Sequence, residues 1–128
     1  MLDHIGIEVG DLARSRAFYE AALEPLGVGF IMEFEGSVGL GSEGEHGPKP
    51  YFWIHARGRP AVSGAHICFG ARSSELVDAF HAAALAAGGE DNGAPGLRPQ
   101  YHSGYYGAFV LDPDDNNVEA VCHRAPVV

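Results

Sequence analysis

The stretch His4-Ile5-Gly6-Ile7-Glu8-Val9 has a counterpart 62 residues further along the chain, His66-Ile67-Cys68-Phe69-Gly70-Ala71. Bulky apolar residues alternate with small or polar ones in both stretches, and this period of two is typical of a strand with one buried face. The same shift superimposes Ala17-Phe18 on Ala79-Phe80. Self-similarity at half the chain length predicts two copies of one structural unit. We place the units at residues 1–61 and 62–128 and expect them to form a single domain.

Each unit continues with a helix and three strands. Asp11 is a suitable N-cap for a helix over 12–24, and Ser73 or Ser74 for one over 75–87. Turn formers and hydrophobic runs predict the remaining strands at Gly29–Phe34, Ser37–Gly41 and Tyr51–Ala56, then at Glu90–Asn92, Gly107–Asp112 and Asn117–His123. Each unit is therefore βαβββ, and the fold class is α+β.

Composition excludes several classes of partner. The chain has 128 residues, 46% of them hydrophobic, with 8 Lys and Arg against 17 Asp and Glu, a net charge of −9. An acidic surface repels phosphate backbones and anionic lipids, so we expect neither a nucleic-acid nor a membrane partner. The N-terminal sequence lacks a basic segment before an apolar run, which predicts no signal peptide and a cytoplasmic location. No run approaches the roughly 20 apolar residues of a membrane span.

The only two cysteines, Cys68 and Cys122, lie in separate apolar runs. Cys68 shares the strand parity of His66, whereas Cys122 has the opposite parity to Glu119. If both of these reference residues face a cavity, the two sulfur atoms lie on opposite faces, beyond the reach of a disulfide. We therefore predict two free thiols.

Two motif matches lack the neighbouring residues that their usual functions require. Gly39–Gly44 fits the pattern G-x-G-x-x-G, but no helix begins after it to hold a pyrophosphate. Asp112–Asn116 resembles the start of a calcium loop, but Asn117 stands where the sharp turn needs glycine and His123 where a bidentate glutamate is needed. We interpret the first as no nucleotide site and the second as a hairpin turn.

Three side chains suggest a metal site. His4 and His66 are equivalent positions of the repeat, and Glu119 lies mid-strand between Val118 and Ala120, where an unpaired buried carboxylate is costly. Two imidazoles and one carboxylate on a curved sheet form a facial ligand set that leaves positions open for water or substrate. The alternative interpretation is that these histidines are ordinary hydrogen-bonded residues of the sheet.

The repeat and the closing motif D-P-D-x-N-x-x-E, here Asp112 to Glu119, resemble the vicinal oxygen chelate superfamily of glyoxalase I, bleomycin-resistance proteins, fosfomycin-resistance enzymes and extradiol dioxygenases. The resemblance covers nearly the whole chain. It implies that the two units form a curved mixed sheet around a cavity. It also implies a divalent metal ion (Zn, Mn, Fe or Ni) on His4, His66 and Glu119, a small oxygen-rich substrate chelated to that metal, and a homodimer. The ligands are then expected within one chain or across the dimer interface.

The sequence departs from the family at two places. Asp115 stands where the turn commonly has glycine. Glyoxalase I supplies a fourth ligand, a glutamate, from the last strand of its first unit, and the matching position here is Trp53, which cannot bind a metal. His55 shares the parity of Trp53 and is an alternative ligand. The departure argues against a true lactoylglutathione lyase.

The segment Pro95–Tyr106 is predicted to be a loop that closes over the cavity. We expect Arg98, Tyr101 and Tyr105 to bind substrate together with Trp53, which would form an apolar wall. We assign His102 as a general acid or base and Tyr106 as a donor to a developing oxyanion. The alternative is that these rings only pack the loop onto the sheet.

Three functions fit these observations. The first is a metal-dependent enzyme of the glyoxalase-like group, with lyase, isomerase, transferase or dioxygenase chemistry unresolved. The second is a metal-free protein that sequesters a small molecule, as bleomycin-resistance proteins do, and the negative charge would favour a cationic ligand. The third is a structural or interaction domain whose histidines lie in the core.

Overall fold

The computed structural model describes residues 1–127, which form eight strands, two α-helices and one short 3-10 helix. The strands of the first unit are β1 (Ile5–Glu8), β2 (Gly29–Phe34), β3 (Ser37–Gly44) and β4 (Gly47–His55). Those of the second are β5 (His66–Gly70), β6 (Glu90–Leu97), β7 (Tyr106–Leu111) and β8 (Asn117–Cys122). Helix α1 spans Leu12–Leu23 and is followed by the 3-10 helix Glu24–Leu26, and α2 spans Ser74–Ala86.

Each unit builds its own four-stranded mixed sheet. The strand orders are β1-β4-β3-β2 and β5-β8-β7-β6, and in both sheets only the first two strands run parallel. Helix α1 packs on β3 and β4, α2 packs on β7 and β6, and the two helices also contact each other. The α+β class and the two βαβββ units predicted from the repeat are therefore confirmed.

The helices begin where local capping signals place them. The Asp11 side chain accepts a hydrogen bond from the Arg14 backbone N–H, and Ser73 does the same for Leu76. Each cap satisfies a backbone donor that has no partner inside the helix. The choice between Ser73 and Ser74 is thus settled in favour of Ser73.

A buried polar cluster joins the two units. Tyr19 of α1 is fully buried and donates a hydrogen bond to Asp112 in the turn between β7 and β8. The Asp112 carboxylate also accepts from the backbone N–H groups of Asp114 and Asn116 and from the Asn116 amide. The Asp-Pro-Asp segment is therefore a hairpin turn, as predicted, and it is fastened to the opposite unit.

Three strands are longer than predicted. β3 continues to Gly44 and β4 begins at Gly47, so the glycine-rich match at Gly39–Gly44 is extended strand and cannot cradle a phosphate. β6 runs to Leu97, so the expected loop over 95–106 is shorter and spans 98–105. A hydrogen bond from the Arg98 N–H to the Tyr105 carbonyl closes that loop at its base.

Both cysteines are free, as predicted. Cys68 stands opposite Glu119 in the β5–β8 register, while Cys122 is buried. Among residues 1–127, no helix is long and apolar enough to cross a membrane.

Candidate functional site

Each sheet has one face turned away from the helices, which we call its open face. On the first sheet this face carries Gly6, Ser37, Trp53 and His55. Gly6 is the strand partner of Trp53 and Ser37 is the partner of His55, and directly paired residues lie on the same face of a sheet. On the second sheet it carries His66, Cys68, Phe109 and Glu119. The candidate site residues divide between these two faces.

His66 and Glu119 meet on the second open face. The His66 Nε2 atom lies 2.9 Å from Glu119 Oε1. Glu119 is only 2% exposed, although it belongs to an acidic side-chain type that seldom lies in a protein interior. Partial burial and, to a smaller degree, the charge of Glu119 raise the pKa of the neighbouring Cys68 thiol to about 12. Glu119 is thus a buried acidic side chain with an imidazole and a thiol beside it.

The loop over 98–105 supplies a second partner for this carboxylate. Tyr105 donates a hydrogen bond to Glu119 Oε2, and burial together with that contact raises the pKa of Tyr105. Tyr101 packs edge-on against Tyr105, with ring centroids 4.9 Å apart. The His102 ring also packs edge-on against Tyr105, with ring centroids 5.3 Å apart. The loop therefore brings Tyr105 to Glu119, and two further predicted site residues, Tyr101 and His102, pack against the Tyr105 ring.

His102 also contacts a histidine that sequence reasoning missed. Its Nε2 atom is 2.8 Å from His123 Nδ1, and its Nδ1 atom is 2.7 Å from the Ser103 carbonyl oxygen, to which it donates. His123 directly follows β8 and is 21 residues from His102, so no local sequence pattern predicts that the two rings meet. The parity of Glu119 and His123 along the predicted last strand was the only available signal.

Arg98 and Tyr106 lie on different sides of the second sheet. The Arg98 guanidinium stacks over Phe109, 5.6 Å from the ring centre, and Phe109 also neighbours His66 at 6.2 Å. Tyr106 instead donates to Asp78 of α2 at 2.6 Å, and this hydrogen bond and burial raise its pKa to about 12. The structure thus brings Arg98 to the open face and leaves the Tyr106 hydroxyl on the helix side, away from Glu119.

The first open face holds a cavity of about 390 Å³ lined by His4, Phe34, Trp53 and His55 among others. His55 Nδ1 lies 2.6 Å from the Ser37 hydroxyl, and burial with a smaller contribution from Arg57 lowers the pKa of His55. Ser37 was not singled out from the sequence, although it shares the face of Trp53 in the β3–β4 register. Trp53 and His55 lie almost parallel, with 3° between their planes.

His4 does not join His66 and Glu119 within one chain. It lies just before β1, with Nδ1 2.7 Å from Asp3, and its side chain is largely exposed. It lines both the cavity with His55 and a groove of about 600 Å³ between the units, where His66 also lies. Within the described residues, no three His, Cys, Asp or Glu side chains are grouped closely enough to hold a metal ion.

The strand registers locate the position equivalent to Glu119 in the first unit. Glu119 pairs with Cys68, two residues after His66, and Trp53 pairs with Gly6, two residues after His4. The structural repeat therefore sets Trp53 where the second unit has its carboxylate, in agreement with the expectation from the sequence.

Comparison with protein families identifies the superfamily of this chain. The family described as the Glyoxalase/Bleomycin resistance protein/Dioxygenase superfamily matches residues 1–120. The chain belongs to this superfamily. The superfamily includes enzymes, among them lactoylglutathione lyase, and the resemblance inferred from the repeat is confirmed.

Solved structures of superfamily proteins share the fold over almost the full chain. A glyoxalase/bleomycin resistance protein from Albidiferax ferrireducens T118 is 33% identical, with 94% of this chain and 96% of that one covered and a TM-score of 0.77. A glyoxalase/bleomycin resistance protein/dioxygenase family enzyme from Burkholderia phytofirmans PsJN is 24% identical, covering 94% and 97%, with a TM-score of 0.70. Lactoylglutathione lyase from Agrobacterium tumefaciens is 19% identical, covering 95% and 92%, with a TM-score of 0.65. The last two show likeness of fold alone. No protein of curated function matches the sequence significantly.

Proposed function

We propose that this chain is a divalent-metal-dependent enzyme of the glyoxalase-like group, acting as one domain on a small substrate that presents adjacent oxygen atoms. The observation that carries the proposal is the His66–Glu119 pair, with Nε2 and Oε1 2.9 Å apart on an open sheet face. His4 holds the equivalent position to His66 in the other unit of the repeat. We assign His4, His66 and Glu119 as the metal ligands.

The donor atoms suit a first-row divalent ion. Two ligand atoms about 2.1 Å from one metal and at right angles to each other lie about 3 Å apart, close to the His66–Glu119 separation. The Glu119 carboxyl group contacts the His66 ring, the Tyr105 hydroxyl and the neighbouring Cys68 thiol. Because burial of a carboxylate is costly, a cation at this position would stabilise it. A set of imidazoles and a carboxylate accommodates Zn²⁺, Fe²⁺, Ni²⁺ or Mn²⁺.

A homodimer would complete the ligand set. In one chain, His4 lies on the first unit and is not grouped with His66 and Glu119 of the second. Apolar side chains stand exposed on the first sheet, with Met32 at 40% and Phe34 at 61% exposure. A two-fold arrangement that laid the first open face of one protomer over the second open face of its partner would cover these side chains. The same arrangement would bring His4 to the partner's metal site.

The chain's own residues then have defined tasks. A bound divalent ion would supply a Lewis acid that polarises substrate oxygen atoms. Tyr105 orients the Glu119 carboxylate by donating to Oε2.

Three further side chains would act on the substrate and its protons. Arg98 places a positive charge beside Phe109 and would bind an anionic substrate oxygen. His102, whose Nδ1–H donates to the Ser103 carbonyl, can accept a proton at Nε2 from His123, which is exposed to solvent. Trp53 forms the apolar wall that limits water in the cavity.

Metal binding to the native state provides the test. Zn²⁺, Mn²⁺, Fe²⁺ or Ni²⁺ should raise the melting temperature of the wild type, because a ligand that binds only the folded protein stabilises it. His4→Ala, His66→Ala and Glu119→Ala should each abolish the shift while the far-ultraviolet circular dichroism stays unchanged. Elemental analysis of protein purified without chelator should find metal in the wild type and none in Glu119→Ala. His81→Ala removes an imidazole bonded to Asp91 on another element and should behave as wild type.

Two results would reject the proposal. Failure of all four ions to shift the wild type, together with no metal on purification, would favour the metal-free ligand-binding function. An equal shift in wild type and Glu119→Ala would place the metal elsewhere, for example at the exposed pair His102 and His123.

A further inference from the structure

The first sheet lacks a carboxylate at the position equivalent to Glu119, since Trp53 stands there. The next residue of β4 on the same face is His55. Its strand partner is Glu8, and its side chain leans back along the sheet toward Gly6. His55 is therefore the residue of β4 on this face that could supply a metal ligand, which Trp53 cannot.

The His55 ring is held in a defined orientation. Its Nδ1 atom is 2.6 Å from the Ser37 hydroxyl, and Ser37 is itself buried. Within the described part of the chain, the opposite nitrogen, Nε2, has no hydrogen-bond partner. A metal-ligating histidine commonly shows this pattern, because an oxygen atom on one ring nitrogen fixes the ring and leaves the other nitrogen for the ion.

Glycine at position 6 makes room for this orientation. A Cβ atom added to Gly6 would lie 2.5 Å from His55 Nε2, closer than non-bonded atoms approach. The free nitrogen therefore lies directly over the backbone of β1. Gly6 has an ordinary extended backbone, since it is not among the positive-φ glycines, so the need for glycine here comes from the imidazole and not from the chain.

His4 is close to the same point. It precedes Gly6 by two residues, so their Cα atoms are at most about 7 Å apart, a span that an imidazole side chain bridges in part. His4 and His55 line the same cavity of about 390 Å³. His4 Nδ1 is bonded to Asp3, so this ring also has one nitrogen held by oxygen and one available.

We propose that His55 is the fourth protein ligand of the metal, so that the first unit contributes His4 and His55 and the second contributes His66 and Glu119. This inference rests on the proposed function. The resulting set of three imidazoles and one carboxylate would favour Zn²⁺, Ni²⁺ or Fe²⁺ over Mn²⁺, which prefers carboxylate ligands. Ser37 and Gly6 act as positioning residues for the His55 ring.

The first experiment counts ligands. X-ray absorption on protein loaded with one equivalent of Zn²⁺ should show three imidazoles on the metal in the wild type and two in His55→Ala. Two imidazoles in the wild type, or an unchanged count in His55→Ala, would overturn the assignment.

The second experiment measures Zn²⁺ affinity by competition with a chelator. His55→Ala should weaken binding at least about tenfold, and Ser37→Ala and Gly6→Ala should weaken it by smaller factors, as losses around a ligand do. His46→Ala removes a histidine from the exposed β3–β4 turn and is the matched control, with wild-type affinity expected. Wild-type affinity in His55→Ala would overturn the assignment.

The outcomes separate the two levels of the proposal. If Zn²⁺ binding depends on His4, His66 and Glu119 but not on His55, the fourth-ligand assignment is wrong and the proposed function stands. If the wild type binds no metal, both are wrong. Gly6→Ala keeps both imidazoles, so a weakened affinity in that variant would show that the orientation of the ring matters.

Discussion

At the scale of single residues, Glu119 owes its position to two partners. His66 contacts one carboxylate oxygen and Tyr105 donates to the other. A hydrogen bond to a ligating carboxylate fixes its orientation toward the metal, and loss of such a bond typically costs about 10–100-fold in metal affinity. Tyr105→Phe should therefore weaken Zn²⁺ binding by that order. Chelator competition measures the effect.

Tyr101→Phe is the matched control for this variant. The Tyr101 ring packs on Tyr105, but its hydroxyl has no hydrogen-bond partner in the part of the chain that the structure describes. Its affinity should equal that of the wild type. A Tyr105→Phe protein that binds Zn²⁺ as tightly as Tyr101→Phe would show that the Tyr105 hydroxyl does not orient the carboxylate.

The sequence predicted some of these residues and not others for a physical reason. Strand parity brings His66 and Glu119 to one face, and parity can be deduced from alternation alone. Tyr106 was assigned from its place in a predicted loop and not from strand parity. In the structure it is the first residue of β7 and its hydroxyl faces α2, while Tyr105 is still in the loop. A loop has no fixed period, so the contact from Tyr105 to Glu119 was predictable only as proximity to the cavity.

At the scale of secondary-structure elements, the turn between β7 and β8 holds α1 of the other unit. Tyr19 donates to Asp112, and a hydrogen bond to a charged group contributes about 1.5–3 kcal/mol. Tyr19→Phe keeps the edge-on ring contact with Phe52 and removes only the hydroxyl. We expect the free energy of unfolding to fall by about that amount at neutral pH in urea titrations.

The same hydroxyl gives the prediction a pH dependence. Burial, and then Asp112, raise the pKa of Tyr19 well above its ordinary value. A group whose pKa is higher in the folded state stabilises the protein fully below its unfolded pKa, about 10, and loses that contribution as the pH rises further. The wild type should therefore lose more stability than Tyr19→Phe between pH 9 and pH 11. Parallel slopes for the two proteins would contradict this.

Elements differed in how well the sequence predicted them. Both helices have a side-chain cap next to an apolar stripe, which is a local signal, and their bounds were predicted to within a residue. β6 was predicted as three residues, because Glu90–Leu97 contains two glycines and a proline. Its remaining length comes from pairing with β7, with register shifts around Gly93 that no local pattern specifies.

At the scale of the whole molecule, the proposed metal ligands lie on different units. His4 and His55 belong to the first open face, while His66 and Glu119 belong to the second. The helices of the two units pack together on the opposite sides of the sheets. A site shared between protomers therefore requires the first unit of one chain and the second unit of the other.

Mixing two inactive variants tests this arrangement. His4→Ala damages only the first unit, and Glu119→Ala damages only the second, so neither homodimer should bind metal. In a mixed dimer, the first unit of the Glu119→Ala chain would meet the second unit of the His4→Ala chain, and one intact site would form. Co-refolding equal amounts should restore about a quarter of the wild-type metal content, since about half the dimers are mixed and each holds one intact site of two.

Sedimentation of the mixture is used to check that dimers have formed. The control is a mixture of His66→Ala with Glu119→Ala, which are both damaged in the second unit and should restore nothing. Absence of rescue in a dimeric mixture would place the ligands within one chain, because two-fold exchange of half-sites is the only route by which these two variants can complement each other.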